Sequence, residues 1–118
     1  MRKYQNLEVW QLAMELVEVI YKMTSQFPAD EKFGLTSQMR RASVSIPSNI
    51  AEGHGRNPDK EFFRFLNIAR GSLYELETQL EIARRINIFE PSKNEFIVIE
   101  KLHAKLNSLM NTVKASGV

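Results

Sequence analysis

The residues best suited to chemistry in this chain of 118 amino acids are its two histidines. Glu100 and His103 are three positions apart, which places both side chains on one face of a helix, as in di-iron carboxylate bundles. Such a centre needs a second Glu-x-x-His motif and two further glutamates, whereas His54 has no glutamate three positions before it. We therefore expect no metal site, and we interpret Glu100 and His103 as an exposed pair on a helix surface.

Motifs for nucleophilic catalysis and for nucleotide binding are absent from the sequence. Ser43, Ser45 and Ser48 lack the G-x-S-x-G context, and the glycines form neither G-x-G-x-x-G nor G-x-x-x-x-G-K-[ST]. The chain has no cysteine, which excludes disulfides and thiol catalysis and is typical of a reducing compartment. We expect a cytoplasmic protein with no catalytic residues and no cofactor.

The charged residues are unevenly distributed. The whole chain carries 16 basic and 14 acidic residues, a net charge of +2, but residues 32–70 hold seven basic and three acidic residues, a net +4. A basic surface of this kind can bind the phosphates of a nucleic acid. The alternative is that the charges are solvated or paired, as Glu61 with Arg64 and Glu81 with Arg84 and Arg85. The candidate phosphate-binding residues are Arg40, Arg41, Arg56, Lys60, Arg64 and Arg70.

A second polar group lies within the same segment. Arg41, Ser45, Asn49 and Glu52 follow one another at spacings of four, four and three, so they share one face of a helix. Pro47 interrupts this helix, and hydroxyl and amide side chains beside it can bond to the carbonyls that a proline frees. Two interpretations stay open, a structural polar network and a ligand site.

Few glycines and prolines stand between long stretches in which apolar residues recur every three or four positions, and this spacing predicts four helices with short connections, each with an apolar seam that faces the core. We expect helices over residues 6–26, with Asn6 as N-cap, over 36–53, with a kink at Pro47 or a break at Ile46, and over 58–86. Asn57 is the predicted N-cap of the third, with Pro58 at its first position, and a Ser92-x-x-Glu95 capping box opens the fourth. The predicted fold is all-α, a single domain of residues 1–118 arranged as an antiparallel up-down-up-down four-helix bundle.

The first helix is apolar over most of its circumference. Its polar side chains form a single stripe, and the remaining surface exceeds what one small bundle can bury. The excess predicts a subunit interface that contains Trp10, Met14, Val17 and Tyr21. Acidic residues interrupt any signal-peptide core, and no apolar run is long enough to cross a bilayer, so we expect a soluble protein without a membrane partner.

Several motifs, taken together, resemble a known family. The motifs are Leu7-Glu8-Val9-Trp10, Gln38-Met39-Arg40-Arg41-Ala42, the Ser45-Ile46-Pro47-Ser48-Asn49-Ile50-Ala51-Glu52-Gly53 core, Phe65-Leu66-x-x-Ala69-x-Gly71-Ser72 and Glu75-Leu76-Glu77-Thr78-Gln79-Leu80. The chain resembles the bacterial four-helix bundle proteins encoded in intervening sequences of large-subunit ribosomal RNA genes. That group is similar to the accessory variability determinant of diversity-generating retroelements.

The resemblance implies an antiparallel four-helix protomer, assembly into a ring-shaped homopentamer and no established catalytic activity. In the retroelement branch it also implies a basic surface that binds nucleic acid and a reverse transcriptase. We therefore predict a non-enzymatic oligomeric scaffold that binds RNA or DNA, with RNA favoured. The alternative function is a structural or protein-docking oligomer without nucleic-acid binding.

Overall fold

The computed structural model describes residues 3–56 and 59–116, with the side chains of 115 and 116 left out. Within these residues the fold is all-α, with four helices and no strand, and measures 46 × 22 × 21 Å. The predicted Asn57 cap and the Pro58 position lie outside the described residues. The four helices are α1 (Glu8–Thr24), α2 (Leu35–His54), α3 (Asp59–Arg85) and α4 (Lys93–Ser116).

The start of α1 differs from the prediction. Asn6 is the last residue of a 3₁₀ turn over Lys3–Asn6, and Leu7 precedes the helix without any side-chain cap. The expected Asn6 cap is therefore wrong, because the preceding turn already positions the chain through a hydrogen bond from the Leu7 N–H to the Tyr4 carbonyl.

Pro47 does not break α2, so the expected alternative of a break at Ile46 is wrong. Pro47 is buried together with Ile46 and Ile50, and α2 continues through it. The hydroxyls of Ser43 and Ser48 donate to the carbonyls of Arg40 and Val44, each at 2.8 Å. Both hydroxyls are therefore satisfied within the helix. The carbonyl that a proline at position 47 frees is that of Ser43, and neither hydroxyl bonds to it, so the role predicted for them is wrong.

The apolar seams predicted from the spacing form the core of the fold. Every seam residue of α2 and α3 is buried, whereas the polar stripe of α1 is exposed, as its spacing predicts. The buried seam of α2 consists of Leu35, Met39, Ala42, Ile46 and Ile50. The buried seam of α3 consists of Phe62, Leu66, Ala69, Leu73, Leu76, Leu80 and Ala83.

Both ends of the α3–α4 connection have defined caps. Asn87 adopts a φ of 61° after α3, and the N–H of Ile88 donates to the carbonyl of Ala83 at 3.1 Å, a Schellman motif. Ahead of α4, the Glu95 carboxylate accepts a hydrogen bond from the Ser92 N–H at 3.0 Å. The carboxylate half of the predicted capping box is therefore confirmed, while the Ser92 hydroxyl accepts from the Asn94 N–H at 3.3 Å in place of the Glu95 N–H.

Each helix packs against the next along the chain, and α1 also packs against α4. The most extensive of these contacts joins α2 to α3. Buried Gly53 makes that contact close, because a Cβ at this position would lie 2.5 Å from the Cβ of Phe65. At the other end, the rings of Phe27 and Phe89 lie 5.7 Å apart, so the connections that follow α1 and α3 meet.

Gly53→Ala is expected to destabilise the protein, because its methyl group would clash with the backbone-proximal Cβ of Phe65. Overpacking of this kind typically costs about 1–3 kcal/mol. Gly71→Ala is the matched control, since nothing lies within 4 Å of its Cβ position in α3. There the substitution is expected to stabilise by about 0.5–1 kcal/mol. Denaturant unfolding measures both effects, and equal effects of the two substitutions would contradict the close approach.

Candidate functional site

His103 is an interhelical residue and not part of an exposed pair on α4. Its Nε2 is hydrogen-bonded to Glu77 of α3, its ring lies 4.9 Å from that of Tyr74, and its side chain is only 14% exposed. The predicted Glu100–His103 pair is therefore wrong, because a residue 26 positions away supplies the partner. Across residues 3–56 and 59–116, no group of three or more His, Asp or Glu side chains is placed to hold a metal ion.

The polar face of α2 divides into two parts. Asn49 Nδ2 donates to the Ser45 carbonyl at 2.8 Å and contacts its hydroxyl at 3.0 Å, and that hydroxyl shares a hydrogen bond of 2.9 Å with Ser72 of α3. Glu52 instead pairs with Arg56 at 3.1 Å on the exposed surface. Ser45 thus connects α2 to α3 and is itself held by Asn49, whereas Glu52 belongs to the exposed charged surface.

Beside the Ser45–Ser72 pair, the surface forms an open polar cleft between α2 and α3 with a volume of about 390 Å³. We call it the α2–α3 cleft; its lining residues are Gln38, Arg41, Ala42, Ser45, Ser72, Glu75 and Gln79. Gln79 is only 7% exposed, and its Oε1 is buried without a hydrogen-bond partner. Sequence reasoning missed this residue, although its position three after Leu76 and four before Ala83 puts a polar side chain in the apolar arc of α3.

Two of the six candidate phosphate-binding residues, both of them arginines, link helices. Arg40 Nε donates to Thr24 Oγ1 at 2.9 Å, and its guanidinium lies 4.6 Å from the centre of the Tyr21 ring, which joins α2 to α1. Arg70 donates to Asn107 Oδ1 at 3.0 Å and so joins α3 to α4. Hydrogen bonds to neighbouring helices therefore fix the positions of both guanidinium groups.

The other four candidate basic residues are exposed. Arg56 and Arg64 converge on the Phe65 ring, at 5.4 and 4.6 Å, and each also pairs with a carboxylate, Arg64 with Glu61 at 3.1 Å. Arg41 and Lys60 have no ion pair within the residues that the structure describes. The α2–α3 connection thus gathers Arg56, Lys60 and Arg64 in one region.

The predicted pairing of Glu81 with Arg84 and Arg85 is confirmed. Hydrogen bonds from Arg84 and then from Arg85 lower the pKa of the Glu81 carboxyl from its usual 4.5 to about 2. The same carboxylate raises the pKa of Arg84. Glu81 therefore neutralises one of the two positive charges at the end of α3, and the larger basic excess lies in α2 and the earlier part of α3.

The apolar residues proposed for a subunit interface lie on the outer side of α1. Met14 and Tyr21 are 37% and 41% exposed, while Trp10 and Val17 are half-buried. The Trp10 ring contacts the ring of Tyr4 at 5.5 Å, and Tyr21 is covered in part by Arg40. Met14 is therefore the member of this set that offers its apolar surface most directly.

The fold and these sites define a small all-α protein of four helices with a polar cleft and a basic segment, and none of its described helices has the length and apolarity to span a membrane. Residues 5–112 match the model of the 23S rRNA-intervening sequence protein family, so the chain belongs to that family. The fold resembles a crystal structure from Bacteroides thetaiotaomicron, of a protein of unknown function in the S23 ribosomal protein family. The two share 24% identity with a TM-score of 0.78 over 87% of this chain and 95% of the other. The comparison with curated proteins finds no match.

Asn49→Ala is expected to lower the free energy of unfolding by about 1 kcal/mol, because it removes the amide that bonds to Ser45. Ser48→Ala is the control, since that exposed hydroxyl bonds only to the carbonyl one turn earlier in α2. Its effect should stay within about 0.5 kcal/mol. Thermal melts of both variants test this without any ligand. An unchanged melt for Asn49→Ala would contradict the structural role and leave the ligand-site interpretation of this face.

Proposed function

We propose that this protein is a non-enzymatic, cytoplasmic, homo-oligomeric four-helix scaffold that binds nucleic acid, RNA in preference to DNA, through a basic surface. The observation that carries the proposal is the separation of charge within the protomer. All seven basic residues of the 32–70 segment lie on α2, its flanking connections and the first half of α3, and these two helices pack against each other. The outward stripe of α1, by contrast, carries Glu8, Glu15 and Glu18.

The exposed basic residues of this surface suit contacts with phosphate. Arg41 and Lys60 have no carboxylate partner among the described residues, so an incoming phosphate displaces nothing. The ion pairs of Arg56 and Arg64 lie at the surface, where such pairs contribute little, so a phosphate oxygen replaces the carboxylate at low cost. Arg40 and Arg70, fixed by their hydrogen bonds to neighbouring helices, add to the positive electrostatic potential of this surface.

A phosphate-binding surface of this kind predicts binding with little sequence preference. Affinity for RNA should fall linearly with salt on a log-log plot, with a slope of about −0.7 to −0.9 for each phosphate neutralised. Replacing both Lys60 and Arg64 with Glu should abolish binding and leave the fold intact, because both side chains are exposed and lie off the α3 seam.

The control for that experiment is the double substitution Lys22→Glu and Lys101→Glu, which makes the same change in net charge at exposed positions on α1 and α4. It should retain most of the RNA binding. An equal loss of RNA binding in the two double variants would show that binding depends on the net charge of the protein and not on the position of the basic residues. Unmodified protein that retains no RNA at low salt would reject nucleic-acid binding and favour the docking alternative.

We further propose that the helices run alternately up and down and that the protomers form a ring, a homopentamer as the family resemblance implies. The α3–α4 connection spans residues 86–92, which is too short to return along a helix of about 40 Å, the length of α3 at 1.5 Å per residue. The exposed Met14 and Tyr21 of α1 support assembly, since an interface between protomers would bury their apolar surface.

Met14→Glu should dissociate the assembly into folded protomers, because it places a charge in the proposed interface at a position that the protomer itself leaves exposed. Ile97→Glu is the matched control, since Ile97 is an exposed apolar residue of α4 outside that interface. Sedimentation velocity measures the mass of the assembly, and circular dichroism measures the helix content of each variant. A 13.6 kDa species for the unmodified protein at micromolar concentration would reject the assembly.

The second candidate function is a protein-docking oligomer without nucleic-acid binding. The same charge separation favours it, because the basic α2–α3 side can dock against an acidic surface, including that of a second copy's α1 or of a protein such as a reverse transcriptase. Retention of such a partner by protein that does not retain RNA would select this function.

A further inference from the structure

Phe33 is an exposed phenylalanine in the connection between α1 and α2. It is 90% exposed, whereas the other exposed large apolar residues of the described chain lie between 37% and 53%. A ring that stays in water buries no area against the core, so the packing of the protomer gives Phe33 no role.

The connection that presents this ring is held by hydrogen bonds of its own. The N–H of Glu31 donates to the Pro28 carbonyl, and the N–H of Gly34 donates to the Glu31 carbonyl, each at 3.0 Å. The Glu31 carboxylate accepts from the Leu35 N–H at 3.1 Å, at the start of α2. A Cβ at Gly34 would lie 3.0 Å from that carboxylate, so glycine leaves room for the bond. The backbone on both sides of the ring is therefore fixed.

A cation lies beside one face of the ring. The Lys32 ammonium nitrogen is 5.5 Å from the centre of the Phe33 ring. Between residues 3–56 and 59–116, no other aromatic or cationic group contacts this ring, so its second face is free. A free aromatic face next to an ammonium group matches the two parts of a nucleotide, because bases stack on aromatic rings and phosphates pair with lysine.

We propose that Phe33 stacks on an unpaired base of single-stranded RNA and that Lys32 contacts the adjacent phosphate. The inference rests on the proposed function, because Lys32 is the first of the seven basic residues in the 32–70 segment. Phe33 and Arg56 lie beyond opposite ends of α2, which has 20 residues and is therefore about 30 Å long. A strand that stacks on Phe33 thus runs along α2 to reach Arg56.

The surroundings of Phe33 favour a nucleic acid over a protein as the occupant. A protein interface has an apolar centre to which several residues contribute. Residues 30–32, which precede the ring, are all charged. A single aromatic ring beside a cation is instead enough to bind one nucleotide of a strand.

The first experiment measures stacking directly. A single-stranded RNA of about twelve nucleotides, with the fluorescent base 2-aminopurine in place of adenine, is titrated with the complete protein at low salt. Stacking should quench the fluorescence on binding. Phe33→Ala should remove the quenching, whereas Phe33→Trp, which keeps an aromatic face, should retain it. Binding of the strand with the same fluorescence in all three proteins would overturn the proposal.

The second experiment compares affinities. Phe33→Ala should weaken binding of the single strand by about ten- to a hundredfold, the usual effect of losing a base stack. Affinity for duplex RNA should not change, because its bases are already stacked and paired. Phe96→Ala is the matched control, since Phe96 is a phenylalanine of α4 that is 47% exposed, and it should change neither affinity. Equal weakening by the two substitutions, or equal weakening for the single strand and the duplex, would overturn the proposal.

The dependence on salt separates the base from the phosphate. Lys32→Ala should make the log-log salt slope for the single strand shallower by about 0.7, the contribution of one phosphate. Phe33→Ala should leave that slope unchanged, because stacking releases no counterions. A slope that changes with Phe33 and not with Lys32 would contradict the assigned roles.

The outcomes distinguish this inference from the proposed function. Equal retention of single-stranded and duplex RNA by the unmodified protein and by Phe33→Ala would overturn base stacking and leave the basic surface as the binding site. Retention of neither RNA would reject both proposals. A smaller assembly for Phe33→Ala in sedimentation velocity would show that the ring packs on a second copy of the chain, and would overturn base stacking.

Discussion

The contact of α2 with α3 at Gly53 is the constraint on which the rest of the structure depends. Without a side chain at Gly53, α2 comes so near α3 that Phe65 fills the space a methyl group would need. This contact aligns the two helices along their length, so that Ser45 reaches Ser72 and the α2–α3 cleft forms beside them. It also holds Phe65 at the centre of the arginines that the connection brings together.

The basic residues divide into those that join neighbouring helices and those that form no ion pair within the described chain. Arg40 and Arg70 join neighbouring helices through Thr24 and Asn107, where a lysine could not make the same planar contacts. Arg41 and Lys60 form no ion pair in the described chain. Their charges therefore repel the other basic residues and add nothing to the stability of the fold. Although the net charge is only +2, basic residues gather on α2 and the first half of α3, and acidic residues line the outer stripe of α1.

The sequence predicts most of the fold because its strongest signal, apolar spacing, is local. The α3 seam from Phe62 to Ala83 and the bond of the Glu95 carboxylate to the Ser92 N–H depend only on residues a turn or two apart, and both are confirmed. The Asn6 cap is wrong since a 3₁₀ turn over Lys3–Asn6, closed by the bond from the Leu7 N–H to the Tyr4 carbonyl and in contact with α2, takes its place. The partner of His103 and the buried Gln79 depend on how α3 faces its neighbours, which spacing alone does not specify.

The central claim is that several copies of this chain together carry a nucleic acid. Native mass spectrometry of the unmodified protein mixed with a short RNA at low salt tests both halves at once. The account predicts a complex with the mass of five 13.6 kDa chains plus bound RNA. A 13.6 kDa species without RNA would contradict it.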